Sequence, residues 1–217
     1  MDTEIVVKGS ATLRVMPDRA VLRVEVDGEG QSRDEAYRQA APLATAVDGV
    51  VERHRPAVAQ AVTASLTVHP RSRWKRGQSV RTGWRASRTT ILEVTEFAAL
   101  GDLLAELATA GGAVDGPDWV LDPDNPVHVE ARRQAAADAR ARADAYADAL
   151  GLRVTGLAWL AEPGLRQGGG PDYPVAPAAA GARLMAAGEV EEVIDVTPAE
   201  MPVRASVEAG FSYTDAG

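Results

Sequence analysis

The chain has 217 residues, no cysteine and a formal net charge of −8 at pH 7. The lack of cysteine excludes disulfides, thiolate metal sites and a cysteine nucleophile, and the negative charge disfavours general nucleic-acid binding. No apolar run approaches the roughly 18 residues of a membrane-spanning helix, and no signal peptide is visible after Met1. We therefore expect a cytoplasmic protein, with export as the alternative if the native N-terminus is longer.

The first elements in chain order are strands, and a helix follows them. Residues 19–27 alternate between apolar and charged side chains, as a half-buried strand does, and two shorter β runs precede them at 5–8 and 11–15. The helix begins at Ser32, whose side chain is expected to form a capping box with Glu35. It is predicted to extend to about residue 53.

A β-hairpin comes next. Residues 58–69 and 79–96 are predicted to be its two strands, and the segment 70–78 is predicted to be the loop between them. Three apolar residues of the first strand are expected to lie in the core: Val62, Leu66 and Val68. The hairpin strands are expected to be central in the sheet.

The second half of the chain contains two helices and two further strands. Leucines at helical spacing predict an amphipathic helix over 97–110, and Asn125-Pro126 is typical of the start of a long helix. The expected inward stripe of this long helix is Val129, Ala136, Ala139, Ala143, Tyr146 and Leu150. Residues 152–162 and 203–213 are predicted strands.

These elements predict an α+β fold in which helices pack on one face of an antiparallel sheet. The order of two strands and then a helix occurs twice, which indicates two interleaved sub-domains within a single domain of residues 1–217. Residues 163–200 are rich in Gly, Pro and Ala, and they predict a long flexible loop.

Several short motifs, in their order and spacing, resemble the SIMPL-domain family over nearly the whole chain. Each motif is weak alone, but the set is fairly specific. The motifs are Val7-Lys8-Gly9-Ser10-Ala11, Pro17-Asp18-Arg19-Ala20, Gly83-Trp84-Arg85-Ala86-Ser87, Leu100-Gly101-Asp102-Leu103-Leu104, Ala110-Gly111-Gly112-Ala113, Glu130-Ala131, Leu150-Gly151 and Val203-Arg204-Ala205-Ser206-Val207.

The resemblance implies an α+β fold, homo-oligomers that could form rings or channels, and a link to stress tolerance or signalling in bacteria. Members of this family are known as bacterial periplasmic or outer-membrane immunogenic proteins and as a kinase-interacting protein. The family implies no catalytic residues. Two departures are visible: Arg88 stands where the family often has Asn, and the missing signal peptide argues against a periplasmic role.

The most unusual local feature is a basic cluster between residues 71 and 88. Seven of the 23 basic residues lie in these 18 positions, with no acidic residue among them. One interpretation is a solvated hairpin whose charges block edge pairing. The functional interpretation is a surface that faces an anion: nucleic acid, lipid headgroups or an acidic surface of a neighbouring subunit. The neighbouring subunit is favoured, because the acidic remainder of the chain would repel nucleic acid. The expected interaction residues are Arg71, Arg73, Trp74, Lys75, Arg76, Arg81, Trp84, Arg85 and Arg88.

No catalytic, cofactor-binding or metal-binding residues are predicted. The three histidines (His54, His69 and His128) do not lie at metal-ligand spacing. The sequence therefore favours a non-enzymatic oligomeric scaffold or binding protein, with homo-oligomers and a possible protein partner. Two alternatives stay open: a hydrolase whose site lies at a subunit interface, and an anion or nucleic-acid binder that uses residues 71–88.

Overall fold

The computed structural model describes residues 4–75, 77–166 and 196–216. In chain order, the described elements are β1 (Glu4–Val15), β2 (Arg19–Gly30), α1 (Arg33–Arg53), β3 (Val58–Lys75), β4 (Gln78–Val94), α2 (Leu100–Thr109), β5 (Ala113–Val120), α3 (Val127–Ala149), β6 (Leu152–Ala161) and β7 (Met201–Asp215). They belong to two compact units. The central unit contains β2 to β5 with α1 and α2, and the terminal unit contains β1, α3, β6 and β7.

The central unit is a four-stranded antiparallel sheet in the order β3-β4-β2-β5. Its core consists of the alternating apolar residues of β2 and β4 together with one stripe from each helix. Helix α2 contributes Leu100, Leu103 and Leu107, which are fully buried at the predicted helical spacing. The predicted cap at Ser32 is present, since its hydroxyl accepts a hydrogen bond of 3.2 Å from the Glu35 N–H. In the return contact, the Glu35 carboxylate accepts from the N–H of the preceding residue, Gln31, at 2.9 Å.

Helix α1 lies very close to β2. A Cβ atom added to Gly28 would collide with the backbone oxygen of Ala36 and the backbone nitrogen of Ala40. Both alanines are buried beside Ala86 of β4. Small residues on the helix and on the strand therefore allow the two backbones to meet directly, and they fix where α1 crosses the sheet.

The terminal unit repeats this arrangement with different elements. Its three-stranded antiparallel sheet has the order β1-β7-β6, and α3 covers one face with five alanines spaced four residues apart: Ala131, Ala135, Ala139, Ala143 and Ala147. Gly9 of β1 faces this ladder, and a Cβ there would collide with the backbone of Ala135 and Ala139.

The α+β fold and the antiparallel pairing are confirmed, while three details of the prediction are wrong. There are two sheets, so α3 covers a different sheet from α1 and α2. Strand β3 is at an edge of its sheet and not at the centre. The predicted stripe of α3 is only partly right: Ala139 and Ala143 are buried members of the alanine ladder, whereas Val129, Tyr146 and Leu150 are exposed.

Most of the predicted flexible loop, residues 163–200, lies outside the described residues. At its two ends, residues 163–166 form a turn and 196–200 have no regular structure. Val196 packs against the core of the central unit.

Candidate interaction surface on the β3–β4 hairpin

The β3–β4 hairpin extends beyond the sheet to which it belongs. Strand β2 pairs with β4 only as far as Gly30 opposite Trp84. Beyond that point, among the strands that the structure describes, β3 and β4 pair only with each other, through five cross-strand pairs that end at Lys75 opposite Gln78. The segment 70–78 is therefore mostly strand and not the predicted loop. At about 3.4 Å per residue, this two-stranded ribbon is roughly 15 Å long.

Basic residues at the base of the hairpin are neutralised by acidic residues of β2. The Arg85 Nε donates to Asp27 Oδ1 at 2.8 Å, and its Nη2 lies 3.6 Å from Glu25 Oε1. These contacts, the hydrogen bonds to Asp27 above all, raise the pKa of Arg85 above its usual range. Arg71 is paired in the same way with Glu29. These two arginines hold the hairpin to the sheet and have little charge left for a partner.

Arg88 also has its partner within the central unit. Its Nη1 donates to Asp48 Oδ2 of α1 at 2.9 Å, and its Nε lies 3.3 Å from Thr90 Oγ1. The hydrogen bond with Asp48 raises the pKa of Arg88. Arg88, which stands where the family that the sequence resembles often has Asn, thus joins β4 to α1.

Trp84 lies between two guanidinium groups at the point where the ribbon leaves the sheet. The Arg33 guanidinium is 4.4 Å from the centre of its ring, and that of Arg81 is 5.7 Å from it. The ring also packs against Ala36 and Ala40 of α1. Such cation–π contacts stabilise by about 0.5–1 kcal/mol at exposed sites, so Trp84 and Arg81 support the base of the ribbon.

The far end of the ribbon carries the side chains that are available to a partner. Trp74 is 75% exposed, and Arg73 is an exposed residue opposite Val80. Lys75 ends β3, although its side chain is not among the described parts, and Arg76 lies outside the described residues. The nine predicted residues therefore divide into a base that is engaged within the chain and a tip around Trp74.

An apolar surface on β3 was missed by the prediction from sequence. Val62, Leu66 and Val68, expected to be core, are 45%, 60% and 40% exposed. Leu66 borders a groove of about 380 Å³, here called the α1–β3 groove. The groove is lined by Tyr37, Ala40, Ala41, Ala44, Thr45, Thr63, Leu66 and Arg88. The only signal for this apolar surface in the sequence was the apolar pattern of the strand. Such a pattern is the same whether the apolar side of a strand is buried in a core or exposed.

Charge is strongly separated within the central unit. Residues 71–88 carry seven basic side chains and no acidic one, whereas the rest of 16–122 carries 15 acidic and 6 basic side chains, a net of −9. Four of these acidic residues, Glu25, Asp27, Glu29 and Asp48, pair with arginines of the same hairpin. The remaining acidic residues of the unit carry charge opposite to that of the hairpin tip.

A separate titratable cluster lies where α1 ends against α2. His54 Nε2 is 3.1 Å from Glu106 Oε1, and the Arg53 guanidinium lies 2.7 Å from Glu106 Oε2. The hydrogen bonds from Arg53 and then from His54 hold the pKa of Glu106 below its usual range. This arrangement ties the last turn of α1 to α2, beside a groove of about 480 Å³.

Two wider searches of the described residues complete the description. Nowhere in 4–75, 77–166 or 196–216 do three or more His, Asp or Glu side chains form a group that could hold a metal ion. Within the same residues, no helix is both long and apolar enough to cross a membrane.

Comparison with known proteins identifies relatives of this chain. The family model SIMPL, described as a protein of unknown function (DUF541), matches residues 5–211. Two proteins named 26 kDa periplasmic immunogenic protein, from Brucella melitensis biotype 1 and Brucella abortus, are each 29% identical over 169 residues, which is 73% of this chain and 67% of theirs.

One solved structure was also matched, with weak similarity. It is described as the X-ray crystal structure of a putative amidohydrolase/peptidase from Burkholderia cenocepacia. The match is 20% identical, with a TM-score of 0.27, and covers 61% of this chain and 33% of that one. A TM-score this low supports no argument about the fold or chemistry of this chain.

Proposed function

The chain belongs to the SIMPL family, and we propose that it acts as a non-catalytic scaffold or binding protein that assembles into homo-oligomers through the tip of the β3–β4 hairpin. The observation that carries the proposal is the exposure of Trp74 at the end of a ribbon that pairs with no other strand among the described residues. Large exposed aromatic side chains are enriched at the energetic centres of protein interfaces.

Charge gives the ribbon a preferred partner. Arg71, Arg85 and Arg88 are neutralised within the chain, so the tip is attracted to acidic surfaces mainly through the residues around Trp74. Such exposed charges contribute only about 0–1 kcal/mol per pair, but they orient the partners and speed association. Burial of Trp74 would supply most of the affinity.

The names of the relatives bear on location. Both Brucella proteins are named as periplasmic, which does not fit the cytoplasmic expectation and favours the exported alternative. We extend the proposal accordingly: the protein works outside the cytoplasm. The link to stress tolerance or signalling stays a prediction.

Sedimentation velocity on the purified protein tests the assembly. We expect the wild type to sediment as an oligomer at micromolar concentration, and the double variant Trp74→Ala with Arg73→Glu to sediment as a smaller species at equal concentration. Its circular dichroism spectrum should be unchanged, because both side chains are exposed. Tyr146→Ala, which removes a similarly exposed aromatic from α3, is the matched control and should leave the oligomer intact. A wild type that is monomeric at high micromolar concentration contradicts the proposal.

Location is tested separately, by fractionating cells that express the full-length native gene. The protein should be released with the periplasmic contents, and recovery with the cytoplasmic fraction alone would overturn this part of the proposal.

A further inference from the structure

The α1–β3 groove is an apolar surface with no occupant in the described part of this chain. Leu66 and Tyr37 form its exposed rim, at 60% and 52% exposure. Ala40, Ala41 and Ala44 line its helix side. Small side chains between two larger ones leave room for a flat, bulky group, and a groove of this kind favours an aromatic side chain.

We propose that this groove receives Trp74 from the hairpin tip of a second copy of the chain. The inference rests on the proposed function, which supplies the hairpin as the assembling element, and it adds the surface that the hairpin contacts. Trp74 is the most exposed large apolar side chain described in the chain. Within the described residues, neither its ring nor the apolar lining of the groove is covered.

The tip cannot reach the groove of its own chain. Leu66 and Trp74 lie on the same strand, eight residues apart, so at about 3.3 Å per residue they are roughly 26 Å from each other. The cross-strand pairs from Val68 opposite Ala86 to Lys75 opposite Gln78 keep this part of β3 extended. Only a second copy can therefore bring Trp74 to the groove.

The position of both features on one strand also suggests how two copies meet. If the two β3 strands lie side by side and antiparallel, each Trp74 comes to the groove of the other copy, which is the reciprocal contact of a two-fold interface. Asp34 lies one turn before Tyr37 on α1 and offers a carboxylate to the basic tip of the partner. Opposite charges thus meet beside the apolar contact.

Side chains, and not main-chain pairing, are expected to make this contact. The register of β3 against β4 shifts at three places, between Val58 and Gln60, Thr63 and Ser65, and Arg71 and Ser72. Irregularities of this kind, together with Pro70, make an edge a poor template for another strand.

Because the chain has no cysteine, introduced thiols report on this contact directly. Ser79 is the cross-strand neighbour of Trp74, and Ala41 lines the groove. We would mix tagged Ala41→Cys with untagged Ser79→Cys in oxidised glutathione and separate the products by size without reductant. A tagged–untagged disulfide dimer is expected. The matched control is tagged Ala145→Cys, which places the thiol on an exposed part of α3. Mixed with untagged Ser79→Cys, it should form little disulfide dimer.

A second experiment separates this inference from the proposed function. Leu66→Asn in the groove and Trp74→Ala at the tip should each raise the dissociation constant about tenfold or more, and an equimolar mixture of the two variants should recover part of the assembly, because one intact tip still meets one intact groove. Leu150→Asn replaces a similarly exposed leucine, and it should leave the dissociation constant unchanged.

The outcomes are distinct. If Trp74→Ala dissociates the oligomer and Leu66→Asn does not, the tip docks elsewhere, so this inference fails and the proposed function stands. If the wild type is monomeric, the proposed function fails and this inference fails with it. Absence of the mixed disulfide from a wild-type-like oligomer also overturns the groove as the receiving surface.

Discussion

The guanidinium of Arg85 on β4 makes paired hydrogen bonds with the carboxylate of Asp27 on the neighbouring strand β2. Arg85 therefore contributes little to the binding of a partner by the basic cluster, because a charge that is already paired attracts another charge only weakly. This pairing also predicts that the arginines of the hairpin differ in what they contribute to folding.

Arg85→Gln should lower the free energy of unfolding, whereas Arg73→Gln should not. Arg85 is partly exposed and its ion pairs are screened by solvent, so the expected loss is modest, about 0.5–1 kcal/mol. Arg73 is exposed at the tip, and its replacement should stay within about 0.5 kcal/mol of the wild type. Urea titration of both variants at low salt measures the difference. Equal losses would show that the Asp27 pair does not stabilise the fold.

The exposed apolar residues of β3 give a second prediction about stability. Leu66→Ala should cost less than about 0.5 kcal/mol in the isolated subunit, since a largely exposed side chain leaves no cavity. Leu103→Ala on α2 removes a fully buried leucine, and it should cost about 2–5 kcal/mol. Thermal or urea unfolding at concentrations below any association gives both values. A large loss in Leu66→Ala would mean that the side chain is buried within the subunit.

Two glycines of the central unit should respond to alanine with opposite signs. Gly28→Ala forces a methyl group into the backbone of α1 and should destabilise by about 1–3 kcal/mol. Gly49 lies within α1, where an added Cβ has only the end of Arg53 nearby, at 3.8 Å. Gly49→Ala should therefore stabilise by up to about 1 kcal/mol, because alanine favours a helix. Calorimetric melting temperatures of the two variants provide the check, and the same sign in both would contradict the close approach of α1 to β2.

Acid should weaken the terminal unit through Asp138 of α3. Its carboxylate accepts a hydrogen bond of 2.9 Å from the Ser10 N–H of β1 and another of 2.9 Å from Arg142 Nε. The Ser10 contact, aided by Arg142, holds the pKa of Asp138 below its usual range. Because this pKa is lower in the folded state than in the unfolded chain, the carboxylate contributes its full stabilisation at pH values above the unfolded pKa of about 4. That stabilisation is lost as the pH falls through the pKa of the folded state.

Asp138→Asn tests this acid dependence. The variant should be less stable than the wild type at neutral pH, and the difference should shrink as the pH falls below about 4 and Asp138 becomes protonated. Urea midpoints at several pH values measure it. Asp144→Asn is the control, because Asp144 pairs with Arg140 within the same helix, and this variant should stay within about 0.5 kcal/mol of the wild type at neutral pH. If the difference in urea midpoint between the wild type and Asp138→Asn were the same at every pH, the Asp138 carboxylate would not be the source of the acid dependence.

Local signals in the sequence predicted local structure well. The capping box at Ser32 and Glu35 and the leucine spacing of α2 involve residues that contact each other within one or two turns. The α+β class followed from the same signals. What these signals do not contain is the number of sheets, because strand pairing depends on residues far apart in the chain, as in Glu4 opposite Ser212.

The errors have identifiable physical causes. Helix α3 contains alanine on nearly every side, so hydrophobic contrast could not set the phase of its buried stripe. The ribbon that ends at Lys75 extends past the last described pair of β2 with β4, and it lacks the apolar alternation that marks a strand. Leu66 does follow such an alternation, but the pattern shows only which side of a strand is apolar. Nothing in the described part of the chain covers that side. The basic cluster was visible in the sequence, whereas its division into an engaged base and an available tip depended on partners in β2 and α1.

The pairing of β1 with β7 also has a consequence for the order of folding. Strand β1 precedes the whole central unit in the chain and its partner β7 follows it, so Glu4 and its register partner Ser212 are about two hundred residues apart. The sheet of the central unit needs only residues 19–120, so it can form while the terminal unit is still incomplete. During that interval β1 is an unpaired apolar strand, and a premature stop before β7 leaves it so permanently. We expect late truncation, more than damage to the hairpin, to make this chain aggregate.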